Sequence, residues 1–290
     1  MARIIFWVLV LFSVALSAQT NTEVYVSNIE SAYGGLDVFN FQNISNDTGY
    51  DSQPSFLSND EVVFAGNNSS QTDIAQYNIS KKTKFWYNAP TKGGEYSPQL
   101  SPNHTGVSAV RLDPDGLQRL YMYEENSTSS IEVIEDLRVA YYTFYNEDTI
   151  VASVLSDSSL DLVISDLKNK KTDTILTNSG RSIHKVPNSN SISYTAINKE
   201  KNQELYLLDM DSRESFFVCQ LPIGIQDYTW LNDSQIIIGS GSKLFLYDTF
   251  LNEDWKEVAD LSDYRIKDIT RLAISPDGKK IALVAEPLSQ

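Results

Sequence analysis

The chain alternates apolar and polar residues over short runs, which predicts β-strands rather than helices along most of its length. β-branched and aromatic residues crowd into these runs, and Asn, Asp, Ser and Gly separate them. The stretch LAISPDGKKIALVAEP at 272–287 predicts an apolar strand at 272–274, a turn at 275–278 and an alternating strand at 280–284. A lone hairpin is only marginally stable in water, so we expect this one to belong to a larger sheet.

The strand-and-turn unit recurs six times, at spacings of 44, 44, 42, 44 and 44 residues. A second apolar strand follows each turn, and a third and a more polar fourth strand follow in five of the repeats, as in LDLVISDL at 160–167 and TDTILTN at 172–178. Four strands at so even a period are typical of a β-propeller blade. We therefore predict an all-β fold, a six-bladed β-propeller of four-stranded antiparallel blades. The aligned apolar residues are Phe56, Leu100, Phe144, Val186, Trp230 and Ile274.

The sixth repeat has only two strands, whereas residues 22–29 and 35–45 look like a third and a fourth strand with nothing before them. We predict that blade 6 is shared between 22–45 and 268–285, within one propeller domain spanning 19–290. Joining the two ends of the chain in one sheet closes the ring, and an open ring would expose unpaired strand edges.

The first twenty residues, MARIIFWVLVLFSVALSAQT, carry an early Arg3, an apolar stretch from Ile4 and the small residues Ser17 and Ala18. This pattern predicts a secretory signal peptide at 1–18, cleaved near Ala18, and a periplasmic or secreted protein. A retained anchor is the alternative, but the apolar run is shorter than the ~20 residues of a membrane span. We expect no membrane span in the mature chain.

The formal net charge of −15 makes nucleic acid and anionic lipid surfaces poor partners, and its simplest role is solubility. The single Cys219 lies among apolar residues, so we interpret it as a buried small hydrophobe. With only two histidines, His104 and His184, we expect no His-rich metal site. We expect no cofactor, no metal and a monomer.

Residues 274–287 resemble the repeat of TolB-type six-bladed β-propellers, whose blades carry a Ser-Pro-Asp-Gly turn. Positions 275–278 match that turn in full and 101–103 match it in part, while the stretches 43–56, 93–102 and 180–187 resemble exported TolB-like proteins of the Bacteroidota. The resemblance implies a propeller of the cell envelope that binds another protein. TolB also carries an α/β domain before its propeller, which we do not expect here, so the resemblance implies fold and compartment better than role.

Motifs for catalysis are scarce. The stretch GSGS at 239–242 has the wrong register for a G-x-S-x-G nucleophile elbow, and neither H-E-x-x-H nor a P-loop occurs. The acid pairs at 113/115 and 209/211 lie beside Pro, Gly or Ser, where Asp favours turns by bonding its own backbone. A glycosidase would instead place two carboxylates from different blades in the central channel, and that alternative stays open.

The loops that lead into the first strands converge on one mouth of the channel in a propeller, and loops on a rigid scaffold commonly carry function. Aromatic faces beside mixed charges there suit a peptide segment or a sugar better than a phosphate. For Arg181, pairing with Asp227 across blades is the structural alternative to ligand binding. The predicted site residues are Tyr50, Asp51, Gln53, Glu95, Tyr96, Tyr141, Arg181, His184, Lys185, Asp227, Tyr228 and Arg271.

Three functional hypotheses follow. The favoured one is a non-enzymatic, exported scaffold that binds another envelope or secreted protein at the channel mouth. The second is an enzyme acting on carbohydrate or peptide with carboxylates such as Glu95 or Asp227. The third is a structural subunit of an envelope assembly without a ligand of its own.

Overall fold

The computed structural model describes residues 21–69, 71–157, 159–251 and 254–288, so the predicted signal peptide at 1–18 lies outside the described residues. Within these ranges no helix is long and apolar enough to cross a membrane. The described residues form six antiparallel sheets, and one short 3-10 helix spans Ser262–Tyr264.

The strands are short and follow the predicted alternation. In chain order they are β1 (Glu23–Ala32), β2 (Gly35–Asn43), β3 (Ser52–Ser58), β4 (Glu61–Asn68), β5 (Gln71–Asn78), β6 (Thr83–Trp86), β7 (Gly94–Leu100), β8 (Val107–Leu112), β9 (Gln118–Tyr123), β10 (Ser130–Glu132), β11 (Val139–Asn146), β12 (Thr149–Leu155), β13 (Leu160–Asp166), β14 (Lys171–Thr177), β15 (Ser179–Lys185), β16 (Ser191–Ile197), β17 (Gln203–Asp209), β18 (Ser215–Gln220), β19 (Thr229–Trp230), β20 (Gln235–Ser240), β21 (Lys243–Asp248), β22 (Lys256–Asp260), β23 (Ile266–Lys267), β24 (Leu272–Ile274) and β25 (Lys280–Pro287).

Blades 1 to 5 are each built from four consecutive strands. Blade 1 contains β3–β6, and blades 2 to 5 continue with β7–β10, β11–β14, β15–β18 and β19–β22. Within each blade every strand pairs antiparallel with the next one in the chain. The predicted six-bladed propeller of four-stranded antiparallel blades is confirmed.

Blade 6 joins the two ends of the described chain. Strand β1 pairs antiparallel with β25, from Glu23 opposite Ala285 to Asn28 opposite Lys280, and β2 pairs with the other edge of β1. On the inner side of β25, β24 pairs with its middle and β23 pairs with its C-terminal end. Closure of the ring by N-terminal strands is therefore as predicted, with β23 as an additional short strand in this sheet.

The hydrophobic core is divided into six clusters, one at each junction between neighbouring blades. The second strand of each blade is buried on both faces, which explains its continuous apolar run. In blade 1, for example, Val62 and Phe64 face blade 6, while Val63 faces blade 2. Fully burying one such side chain stabilises the fold by about 1.5–3 kcal/mol.

The lone cysteine belongs to this core. Cys219 is 7% exposed and packs in the cluster between blades 4 and 5, as the sequence predicts. Burial in apolar surroundings raises the pKa of its thiol to about 12, so the group stays protonated at neutral pH.

The repeated turn is held by its own side chains. The Ser275 hydroxyl donates to Asp277 Oδ1 at 2.6 Å and accepts the Lys280 backbone N–H at 2.9 Å, and Gly278 takes the positive φ of +71° that ends the turn. In blade 2, Ser101 and Asn103 repeat the first of these bonds at 2.8 Å. The partial match in sequence thus keeps the local geometry.

The acid pairs outside the site make the contacts of turns and surface ion pairs. Asp209 Oδ1 accepts the backbone N–H groups of residues 211 and 212 at 3.1 and 2.7 Å. Asp113 binds the guanidinium groups of Arg111 and Arg119 at 2.6 and 2.7 Å. The backbone contacts of Asp209 favour the turn interpretation of the 209/211 pair, and the Leu117 backbone N–H, which donates to Asp115 Oδ1 at 3.0 Å, favours it for the 113/115 pair.

Candidate functional site

The innermost strands of the six blades enclose a central channel with a volume of about 310 Å³. Because the inner strands are copies of one unit, the same repeat position supplies one lining residue in every blade. The chemistry of the wall is nevertheless uneven: the lining residues of blades 1 to 3 are uncharged, and those of blades 4 to 6 include all the charged side chains. The six equivalent residues are Gln53, Ser97, Tyr141, Ile183, Asp227 and Arg271.

A carboxylate shared by two guanidinium groups dominates the charged side of the channel. The Asp227 side chain is only 4% exposed. It accepts hydrogen bonds from Arg181 of blade 4, from Nε at 3.2 Å and from Nη2. Arg271 of blade 6 places Nη1 2.6 Å from Asp227 Oδ1, the oxygen that also accepts from Arg181 Nε. The structural alternative for Arg181, pairing with Asp227 across blades, is therefore observed, and the second arginine extends the link over three blades.

The two arginines remain partly open to the channel. Their side chains are 31% and 17% exposed for Arg181 and Arg271, and the Arg271 guanidinium lies 5.6 Å from the centre of the Tyr141 ring. That distance is within the range of a cation–π contact. The ion pairs therefore hold both guanidinium planes in place while part of each faces the channel.

His184 contributes a neutral ring to the same wall. Its Nε2 is 3.0 Å from the Ser182 hydroxyl, and its ring meets Tyr228 edge-on with centroids 4.8 Å apart. Burial lowers the pKa of His184 to about 4, because the surrounding protein disfavours the charged form, and Arg271 adds to the effect. His184 is therefore neutral at neutral pH and adds no charge to the channel.

Lys185 lies at the exposed end of strand β15. Its Nζ donates to the backbone carbonyl of Tyr145 at 2.9 Å and is 5.3 Å from the centre of that tyrosine ring. The side chain thus lies across the boundary between blades 3 and 4 and adds a third cation to the lining of the channel.

The uncharged wall is shaped by irregular inner strands. The pairing of β3 with β4 shifts between Ser52 and Ser55, and Gln53 in that interval has a φ of +57°. Ser97 repeats this geometry in β7, with a φ of +51°, and its backbone N–H donates to Gln53 Oε1 at 2.9 Å. Bulges of this kind re-aim side chains, and here they link the inner strands of blades 1 and 2.

Eight of the twelve predicted site residues line the channel. These are Gln53, Tyr141, Arg181, His184, Lys185, Asp227, Tyr228 and Arg271. Sequence reasoning missed several uncharged lining residues, although the repeat period would have found Ser97, because it follows the predicted Gln53 by one period. The missed polar residues include Ser55, Ser97, Gln99, Thr143, Ser182 and Thr229.

The other four predicted residues do not line the channel. Tyr50 and Tyr96 are half-buried and pack against each other, with ring centroids 6.3 Å apart. Asp51 and Glu95 are 0% exposed, which differs from the expectation that they reach the mouth. Both precede the bulge of their inner strand, so their side chains point into the blade junctions instead.

Asp51 lies at the junction where the ring closes. The backbone N–H of Asn67 donates to its Oδ1 at 3.0 Å, while Oδ2 has no partner among the described residues. Burial raises the pKa of Asp51 to about 7, and the nearby Glu23 carboxylate of strand β1 contributes in the same direction.

Glu95 occupies the equivalent position between blades 1 and 2. The Thr91 and Tyr123 hydroxyls donate to its Oε1, the latter at 3.3 Å, and Oε2 has no partner among the described residues. Burial, reinforced by the neighbouring Asp73 carboxyl, raises the pKa of Glu95 to about 8. Glu95 therefore carries a proton at neutral pH, and it does not line the channel.

Comparison with solved structures identifies proteins of similar fold. No protein-family model and no curated protein matches this sequence. Among solved structures, the putative TolB from Agrobacterium tumefaciens is similar with a TM-score of 0.68 at 10% identity, over 92% of this chain and 99% of that one. TolB from Acinetobacter baumannii gives a TM-score of 0.57 at 10% identity, over 92% of this chain and 65% of that one.

An enzyme shares the same architecture. An oligogalacturonate lyase in complex with manganese is similar with a TM-score of 0.57 at 11% identity, over 87% of this chain and 82% of that one. At such identities the similarity concerns the fold alone. The chain has a TolB-like six-bladed β-propeller fold, and its role has to be argued from the channel.

Proposed function

We propose that this protein is an exported, non-enzymatic scaffold that binds a segment of another envelope or secreted protein at the central channel. The observation that carries the proposal is the channel wall, where Asp227 fixes Arg181 and Arg271 and uncharged polar groups face them from blades 1 to 3. A fixed array of donors and acceptors on a rigid scaffold suits recognition. Export rests on the predicted signal peptide and on the resemblance to envelope propellers.

The size of the channel supports a small contact. Its volume of about 310 Å³ is at the lower end of the ~300–1,000 Å³ of small-molecule sites, enough for a few side chains of a bound segment. The inner strands are tied to one another by bonds such as Gln99 Nε2 to the Tyr142 carbonyl at 2.8 Å. We therefore expect the bound segment to change its conformation on binding while the channel keeps its shape.

The positions of the carboxylates give the enzyme alternative less support. Glycoside hydrolysis uses two carboxyl groups about 5–9.5 Å apart across the scissile bond. Among the described residues that line the channel, Asp227 is the only acid, and both its oxygens are engaged by arginines. Glu95, the other candidate, is buried in a blade junction.

The test is cross-linking of the tagged protein in intact cells of its source, followed by identification of the adducts. We expect one partner in stoichiometric amount, with recovery lowered by Lys185→Glu at the channel. Lys199→Glu, an equal charge change at an exposed turn of blade 4, should leave recovery unchanged. Turnover of glycan or peptide substrates by the purified protein, with no recovered partner, would contradict the proposal.

A further inference from the structure

The charged side of the channel holds more positive than negative charge. Arg181, Arg271 and Lys185 face one carboxylate, Asp227, and His184 is neutral. This local excess of cations lies in a protein whose formal net charge is −15. One arginine is enough to balance the charge of Asp227, so the second guanidinium leaves an excess of positive charge at the channel.

Donor groups remain available on both arginines. Arg271 uses Nη1 on Asp227, and its Nε and Nη2 have no partner among the described residues. Arg181 uses Nε and Nη2 on the same carboxylate, which leaves Nη1 without a partner in the described part of the chain. Guanidinium N–H groups form their strongest hydrogen bonds with carboxylates, often in pairs.

We propose that Arg271 and Arg181 bind a carboxylate of a peptide segment, an acidic side chain or a free C-terminus, in the channel next to Asp227. This inference rests on the proposed function and names the chemical group that the site selects. Because Asp227 holds both guanidinium groups in place, little side-chain entropy is lost when the ligand binds. The acidic surface elsewhere repels anions, so we expect a carboxylate to bind most favourably in the channel.

The aromatic residues of the wall favour a peptide over an acidic sugar. A sugar ring stacks on an open aromatic face, but Tyr142 and Tyr228 are only 2% and 1% exposed. Tyr141 has the Arg271 guanidinium near one face of its ring. The channel therefore offers hydrogen-bond donors rather than a stacking platform.

The experiment uses the purified protein labelled with ¹⁵N and four probes. Three are peptides that share one neutral core: one with a central Glu and an amidated end, one with Gln in its place, and the Gln peptide with a free C-terminal carboxylate. The fourth is trigalacturonate. The Nε–H signals of Arg181 and Arg271 are followed during millimolar titrations, with assignments from Arg→Lys variants.

We expect the Glu peptide, the free-end peptide or both to shift the two arginine signals, and the neutral peptide to leave them unchanged. Which of the two acts identifies the source of the carboxylate. Arg271→Gln should weaken that binding by about tenfold or more, the usual loss for a hydrogen bond to a charged group. Arg213→Gln, in an exposed turn of blade 4, is the matched control.

Equal shifts with Glu and Gln peptides, or no shift with either carboxylate peptide, would overturn the carboxylate assignment. A response to trigalacturonate alone would do the same and would favour a glycan ligand. Cross-linking tests the proposed function separately. If it still recovers a partner and Arg271→Gln does not affect that recovery, the proposed function stands and only the carboxylate assignment is wrong.

Discussion

Replacing the buried Glu95 by Gln should change how the stability of the propeller depends on pH. In the folded protein the pKa of Glu95 is raised to about 8 by burial and by Asp73. A raised pKa means that the folded state holds the proton more tightly than the unfolded chain. The stabilisation is fully present below about pH 4.5, the ordinary pKa of this group, and is lost as the pH rises through about 8.

The size of the effect follows from that shift. A rise in pKa from 4.5 to about 8, at about 1.36 kcal/mol per unit, corresponds to a loss on the order of 5 kcal/mol of unfolding free energy across this interval. That is a large share of the ~5–15 kcal/mol typical of a folded domain. Gln cannot ionise, so Glu95→Gln removes this contribution to the pH dependence.

Urea denaturation at pH 5, 6.5 and 8 checks the reasoning. We expect the unfolding free energy of the wild type to fall steadily over this range and that of Glu95→Gln to fall much less, so that the variant is the more stable protein at pH 8. Glu200→Gln, at an exposed turn, should keep the wild-type slope. Parallel curves for the wild type and Glu95→Gln would refute the assignment of a protonated, buried Glu95.

Three further predictions concern the site and the ring. Asp227→Asn leaves two guanidinium groups in the channel without their carboxylate and should cost about 2–4 kcal/mol in a denaturant titration, less than a fully buried pair because both arginines are partly exposed; an unchanged midpoint would contradict the shared ion pair. Gly239→Ala would bring a Cβ within 2.2 Å of Ile269 and should cost about 1–3 kcal/mol by overpacking, whereas a neutral effect would show that the junction of blades 5 and 6 is loose. Val24→Asp buries a carboxylate in strand β1, where Val24 is 0% exposed, and should broaden or abolish the cooperative melting transition followed by circular dichroism; Tyr33→Asp in the exposed turn of the same hairpin should not.

The fold could be predicted from the sequence because each blade of a propeller corresponds to one copy of a sequence repeat. The period of about 44 residues places the inner strands, and the two unmatched strands at 22–45 predict the closure that pairs β1 with β25. The same alignment makes an ion pair between Arg181 and Asp227 one of the alternatives, since Arg181 lies early in β15 and Asp227 lies just before β19 in the adjacent blade.

The direction of individual side chains could not be predicted in this way. Successive residues of a strand face opposite sides, so one extra residue reverses the pattern. The bulges around Gln53 and Ser97 do this, and they turn Asp51 and Glu95 into blade junctions while the residues after them face the channel. Positions 53 and 97 carry Gln and Ser rather than glycine, so no turn residue in the sequence indicates these bulges.

The most direct test of the channel as the binding site is site-specific photo-cross-linking in the native compartment. A benzophenone amino acid at position 141, in the channel wall, should yield one defined protein adduct that is lost in combination with Arg271→Gln. The same probe at position 217, an exposed residue of the outer strand β18, should yield no such adduct. An adduct formed only from position 217 would show that the partner binds the rim of the propeller and would contradict the channel assignment.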